Sequence, residues 1–92
     1  MGERMPGDDE LNRHRVAIDA LDDEILERLS ARAQHAHDIG ALKGATPAYR
    51  PEREAQVLAR MARAHRGPLP NAAVTGVFRQ IMAACLALER RA

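Results

Sequence analysis

Between Asp9 and Lys43 the sequence carries about 35 residues of helical pattern, with no proline and a single glycine, Gly40. At ~1.5 Å per residue such a helix spans ~50 Å. A compact chain of this size has a radius of gyration near ~12 Å, hence a diameter of roughly 30 Å. The helix is too long for any core that the remaining residues can build, so part of its apolar stripe must face water or a second copy. An antiparallel partner helix covers it; a bend or break at Gly40 into a monomeric bundle is the alternative. The sequence predicts the dimer.

The rest of the chain adds two helices and little else. Proline and glycine mark two loops, Gly44 to Pro51 and Arg66 to Pro70. They divide the chain into helices over about Asp9–Lys43, Pro51–His65 and Ala72–Arg91. Asp8 or Asp9 is a candidate cap for the first helix, and Gly44 ends it. Pro51 suits the first turn of the second helix, Gly67-Pro68 stops it, and Asn71 is a candidate cap for the third. Apolar alternation never persists, so no strand is predicted. Residues 1–8 read as a flexible N-terminus and 9–92 as one all-α domain of long, short and long helices in an intertwined homodimeric bundle. Apolar residues make up 46% of the chain but aromatics only 2%, which leaves Ala, Leu, Ile, Val and Met to build the core.

Charge and cysteine content narrow the function classes. The formal net charge is +1, and no helix has a basic face, so neither nucleic acid nor a helix-turn-helix role is expected. No apolar run is read as a membrane span. The N-terminal ten residues lack the apolar region of a signal peptide. One cysteine, Cys85, excludes an internal disulfide and suits a reducing compartment; the expected location is the cytoplasm. His35 and His37 point to different faces of one helix, with His14 and His65 elsewhere, so no metal is expected.

The decisive pattern lies inside the apolar stripe of the first helix. Measured from Lys43 at ~100° per residue, Ile18, Ile25, Leu29, Ala36 and Ile39 fall within about 40°, and Arg32 about 20° away. Two cations thus sit about three turns apart in the middle of an apolar face. Buried cations are costly unless an anion meets them, and no carboxylate of this helix lies at the stripe's centre. Snorkelling accounts for either cation alone; the pair, beside the small residues Ala36 and Gly40, points to an anion-binding pocket. Arg15 lies at the stripe's edge and ~25 Å along the axis from Arg32. One small ligand cannot touch both on one helix, but an antiparallel partner brings its Arg15 to the Arg32/Lys43 pocket, making two equivalent shared sites. On the third helix Val74, Phe78, Ile81, Cys85 and Leu88 form the apolar stripe. Glu89 stands at its border, where the residues alone read as a surface carboxylate.

These residues resemble the all-helical (AroQ-type) chorismate mutases, most of all the N-terminal mutase domain of bifunctional chorismate mutase/prephenate dehydratases. The resemblance begins with Arg15-Val16-Ala17-Ile18-Asp19-Ala20-Leu21-Asp22, against the family's R-x-x-I-D-x-L-D. It continues through Leu29-Ser30-Ala31-Arg32, Ile39-Gly40-Ala41-Leu42-Lys43 and Tyr49-Arg50-Pro51-Glu52-Arg53-Glu54, and ends in Phe78-Arg79-Gln80-Ile81-Met82. It implies that Arg32 binds one substrate carboxylate and Arg15 of the partner chain the other. Lys43 contacts the ether oxygen whose bond breaks, and Glu54 accepts a hydrogen bond from the ring hydroxyl. The Arg53 position contributes to that region through side chain or backbone. Cys85 replaces a small hydroxyl residue, and Glu89 stands where relatives carry Gln or Glu. Arg50 falls near a position often occupied by Asp and is left out of the catalytic set.

The implied activity is the intramolecular [3,3] rearrangement of chorismate to prephenate, on the way to phenylalanine and tyrosine. It needs no cofactor, metal or nucleophile. The catalytic set is then Lys43, Glu89 and Arg32, with Glu89 donating a hydrogen bond to the ether oxygen. Only its protonated form can donate, so turnover is expected to fall as rising pH removes that proton. The chain ends near where a dehydratase domain would begin, which implies either a monofunctional mutase or the mutase part of a longer protein. The alternative from another class is a non-catalytic helical dimerisation or ligand-sensing module using the same cations.

Overall fold

A computed structural model describes residues 5–44 and 50–91. Three helices follow one another: α1 (Asp8–Lys43), α2 (Pro51–Ala64) and α3 (Asn71–Arg91). No strand occurs among the described residues. The all-α, long–short–long reading is therefore correct. The loop expected over Gly44 to Pro51, and Tyr49 within it, fall largely outside the described residues, as do the first four residues of the expected flexible N-terminus.

Local chemistry explains each helix end. Asp8, Asp9 and Glu10 occupy the first turn of α1 and Lys43 the last, each matching the sign of the helix dipole. Asp8 is the first helical residue rather than a cap outside the helix; its Oδ2 accepts from the backbone N–H of Met5 at 2.7 Å. Gly44 takes φ +59°, and its N–H reaches the Gly40 carbonyl at 3.2 Å, so a residue without Cβ closes α1 as expected. Pro51 opens α2 and holds the preceding residue out of the helical region: Arg50 is extended at φ −131° and ψ 104°. The Arg50 carbonyl still accepts from the N–H groups of Arg53 and Glu54, at 3.1 and 3.2 Å. α2 ends one residue earlier than predicted, at Ala64. There the Arg66 guanidinium donates to the carbonyls of Arg63 and His65, at 2.9 and 3.3 Å. Asn71 lies inside α3 rather than capping it. The Pro70 carbonyl receives the N–H groups of Ala73 and Val74, and the Thr75 hydroxyl donates back to the Asn71 carbonyl at 3.0 Å.

The chain divides into two compact units, Met1–Ala31 and Arg32–Ala92. In the first, the α1 side chains Val16, Ile18, Leu21, Ile25 and Leu26 are all more than half exposed. In the second, α2 packs on α3, and the core is one residue from each helix: Ala36, Val57 and Cys85, at 7%, 2% and 7% exposure. Gly40 is also buried. The predicted stripe is therefore only partly covered: Ala36 is buried, while Ile39 keeps 44% of its surface exposed.

In one respect α3 departs from expectation. It is 21 residues long and contains an 18-residue window of mean hydropathy 1.3, enough by length and composition to cross a membrane. No continuous apolar run stands out in the sequence because Arg79 and Gln80 interrupt it midway. α3 packs on α2 and carries charged Arg79 and Glu89 into the wall of the site described next.

Candidate functional site

The three core residues Ala36, Val57 and Cys85 all line one open cavity of about 690 Å³ within the Arg32–Ala92 unit. That volume lies within the range of small-ligand sites. Helical periodicity selects what else faces it. From α1 come Arg32, Ile39 and Lys43, all on the stripe where the sequence placed its two cations, with His35 at the stripe's edge. From α2 come Arg53, Glu54 and Arg60, with Arg50 at the helix entry. From α3 come Arg79, Met82, Ala83, Leu86 and Glu89.

Lys43 and Glu89 meet at this wall. The Lys43 ammonium lies 3.5 Å from Oε1 of Glu89, with side-chain exposures of 22% and 15%. Glu89 is thus a sheltered carboxylate engaged by the cation predicted to share its site, rather than the surface residue that its place near a helix end suggests. Arg32 is half-buried and Arg53 exposed, while Glu54 is half-buried. Cys85 is a free thiol on the buried side of the cavity. No α1 carboxylate lines the cavity; Asp38 instead engages Gln34 at 3.1 Å and His37 at 3.5 Å on the exposed face. The cavity wall thus holds six cationic side chains and two carboxylates. Six less two leaves four positive charges, in a chain whose formal net charge is only +1.

Of the residues expected to bind substrate, Arg32, Lys43, Arg53, Glu54, Cys85 and Glu89 come together around this cavity. Arg15 belongs to the Met1–Ala31 unit, where it is exposed. The sequence reading missed Arg60, Arg79 and His35, and it set Arg50 aside. A signal for Arg60 was present: the periodicity used on α1 places Arg53 and Arg60 about one turn either side of apolar Val57 on α2. Arg79 carries no such signal, because it stands one residue after Phe78 and beside the apolar stripe.

A cationic cavity among three helices is the setting, and comparison with known proteins adds the lineage. The family model for chorismate mutase type II matches residues 14–90. The chain belongs to this family. The bifunctional chorismate mutase/prephenate dehydratase of Neisseria gonorrhoeae is 54% identical across 90% of this chain and 23% of its own length. The same bifunctional enzyme of Pseudomonas aeruginosa is 44% identical across 94% of this chain and 26% of its own. The chain thus spans about a quarter of the length of these curated relatives. Among solved structures, chorismate mutase (form II) from Thermus thermophilus superposes with a TM-score of 0.86 at 33% identity, covering 89% of this chain and 96% of that one. Chorismate mutase from Helicobacter pylori in complex with prephenate gives 0.85 at 28% identity, covering 91% and 93%. The family inferred from the five sequence segments is therefore correct.

Proposed function

We propose that this chain catalyses the rearrangement of chorismate to prephenate within residues 9–92. The observation that carries the reading is the cavity wall itself, where Arg32, Lys43 and Glu89 converge in a chain of the mutase family. The Helicobacter pylori relative, solved with prephenate, supports the choice of ligand.

The chemistry follows from the charges. In chorismate the ether C–O bond breaks while a C–C bond forms at the other end of the same molecule. No atom enters or leaves. What an enzyme can add is a compact reactive shape and stabilisation of charge growing on the ether oxygen. Arg32 holds one carboxylate of the dianion in a bidentate grip. Lys43 meets the ether oxygen, and Glu89, protonated in the reactive complex, donates a hydrogen bond to it. Glu54 accepts from the ring hydroxyl, and Arg53 lies beside it. Cys85 offers at most a weak donor from the cavity floor.

The second carboxylate falls to Arg15 of a second copy. The exposed apolar side chains Val16, Ile18, Leu21, Ile25 and Leu26 support a homodimer, since α1 leaves a row of large aliphatics uncovered, as intersubunit contacts require. The free, buried Cys85 suits the reducing cytoplasm.

The test is direct. Purified protein is mixed with chorismate and its ultraviolet absorbance followed, beside an Arg32→Ala control. Rapid loss with prephenate as product, abolished in the control, is the expected result. Binding without turnover by a folded dimer, at any pH from mildly acidic to neutral, overturns the reading and leaves a ligand-sensing module.

A further inference from the structure

The cavity holds more positive charge than a dianion needs. Arg32 and Lys43, with Arg15 of the partner copy, already answer two carboxylates and an ether oxygen. Arg60 and Arg79 also line the wall. Both are exposed, and neither makes an ion pair or hydrogen bond among the described residues.

Their place along the helices separates them from the reacting bond. Arg79 precedes Glu89 by ten residues on α3, ~15 Å at helical rise. Arg60 follows Arg53 by seven on α2, ~10 Å by the same rise. A single-ring diacid held at Lys43 and Glu89 is too short to be gripped by this pair as well. Resting on the mutase reading, we infer that Arg60 and Arg79 form an electrostatic capture rim, which draws the dianionic substrate into the cavity without touching it during the reaction.

The substrate's own charge fixes how such a rim acts. The two carboxylates keep their charge throughout the rearrangement. A distant cation therefore stabilises ground state and transition state alike. Interactions of that kind lower KM and leave kcat where it was. Two unit charges acting on a dianion at ~10–15 Å through water are worth about three- to tenfold in affinity at low salt. Screening removes the effect once the Debye length, about 30 Å at 0.01 M, falls to about 3 Å at 1 M. The remaining cations stay in place in either variant, so the rim sets the slope of the salt dependence rather than the existence of binding.

The experiment compares wild type, Arg60→Gln/Arg79→Gln and Arg60→Lys/Arg79→Lys, all as the full chain, from about 0.01 M to about 1 M salt. In the glutamine variant KM rises about three- to tenfold at low salt, kcat stays within about twofold, and the salt slope of kcat/KM flattens until the proteins converge at high salt. The lysine variant keeps the charges and behaves as wild type. A glutamine variant with the wild-type slope, a loss confined to kcat, or a lysine variant as impaired as the glutamine one overturns the inference. Calorimetric titration with prephenate across the same salt range reads the rim without turnover. A wild type that fails to convert chorismate thus counts against the mutase reading alone, while an unchanged salt slope in the variants counts against the rim alone.

Discussion

Replacing Lys43 by Met keeps a chain of similar length but removes its ammonium, and Glu89→Gln keeps the shape of the carboxyl while removing its charge. The pair they break has its charged atoms 3.5 Å apart. At that distance Coulomb's law gives about 1 kcal/mol in bulk water and about 5 kcal/mol at an effective dielectric of about 20. With side-chain exposures of 22% and 15% the pair lies between those limits, and desolvation and side-chain ordering offset part of the attraction. The expected net coupling is about 1–2 kcal/mol. Urea unfolding of wild type, Lys43→Met, Glu89→Gln and the double variant, at one fixed protomer concentration, measures it. The double variant should be more stable than the sum of the single losses by that amount. Additivity within about 0.3 kcal/mol would refute the argument that this contact holds α1 to α3. The same Lys43→Met protein should lose about 10²–10³ in kcat, the usual cost of deleting a donor at a developing oxyanion.

The remaining predictions are independent of that cycle. Glu89→Gln keeps a hydrogen-bond donor at that position and should retain turnover within about tenfold, whereas Glu89→Ala should lose about 10²–10³ in kcat; equal losses in the two variants remove Glu89 from the donor role. Arg15→Ala and Arg32→Ala homodimers should each be nearly inactive. After mixing and subunit exchange, half the dimers are hybrids with one intact site, so about a quarter of wild-type activity should return; no recovery in verified hybrids would place Arg15 outside the shared site. Gly44→Ala should lower stability by about 1 kcal/mol, because φ is +59° and, among the described residues beyond its chain neighbours, nothing lies within 4 Å of the added methyl to offset the strain. A neutral effect in denaturant melts would show that the α1 end adjusts freely.

Several features were legible in the residues because their causes are local. Gly44 ends α1 and Pro51 starts α2 through backbone restrictions that act within a few residues. Arg32 and Lys43 share one face because helical periodicity depends on nothing beyond the helix itself. The family segments, spread from Arg15 to Met82, carried the lineage without any geometry. Asn71 went the other way: its side chain suits a cap, but the Pro70 carbonyl takes the first N–H groups of α3 and the helix starts a residue earlier.

The tertiary structure decided what meets what. Glu89 looks like a surface carboxylate at a helix end, and it became a sheltered partner of Lys43 only when α3 was laid beside the end of α1. Arg79 shows no sign of a site in its own helix, and Arg60 only a faint one, yet packing turned both into the cavity wall. Periodicity ranks the faces of one helix, but the angle and register between helices depend on side-chain interlocking across residues far apart in the chain. For that reason the cations of α1 could be read from the sequence, whereas the carboxylate facing them and the excess of positive charge around them emerged only from the fold.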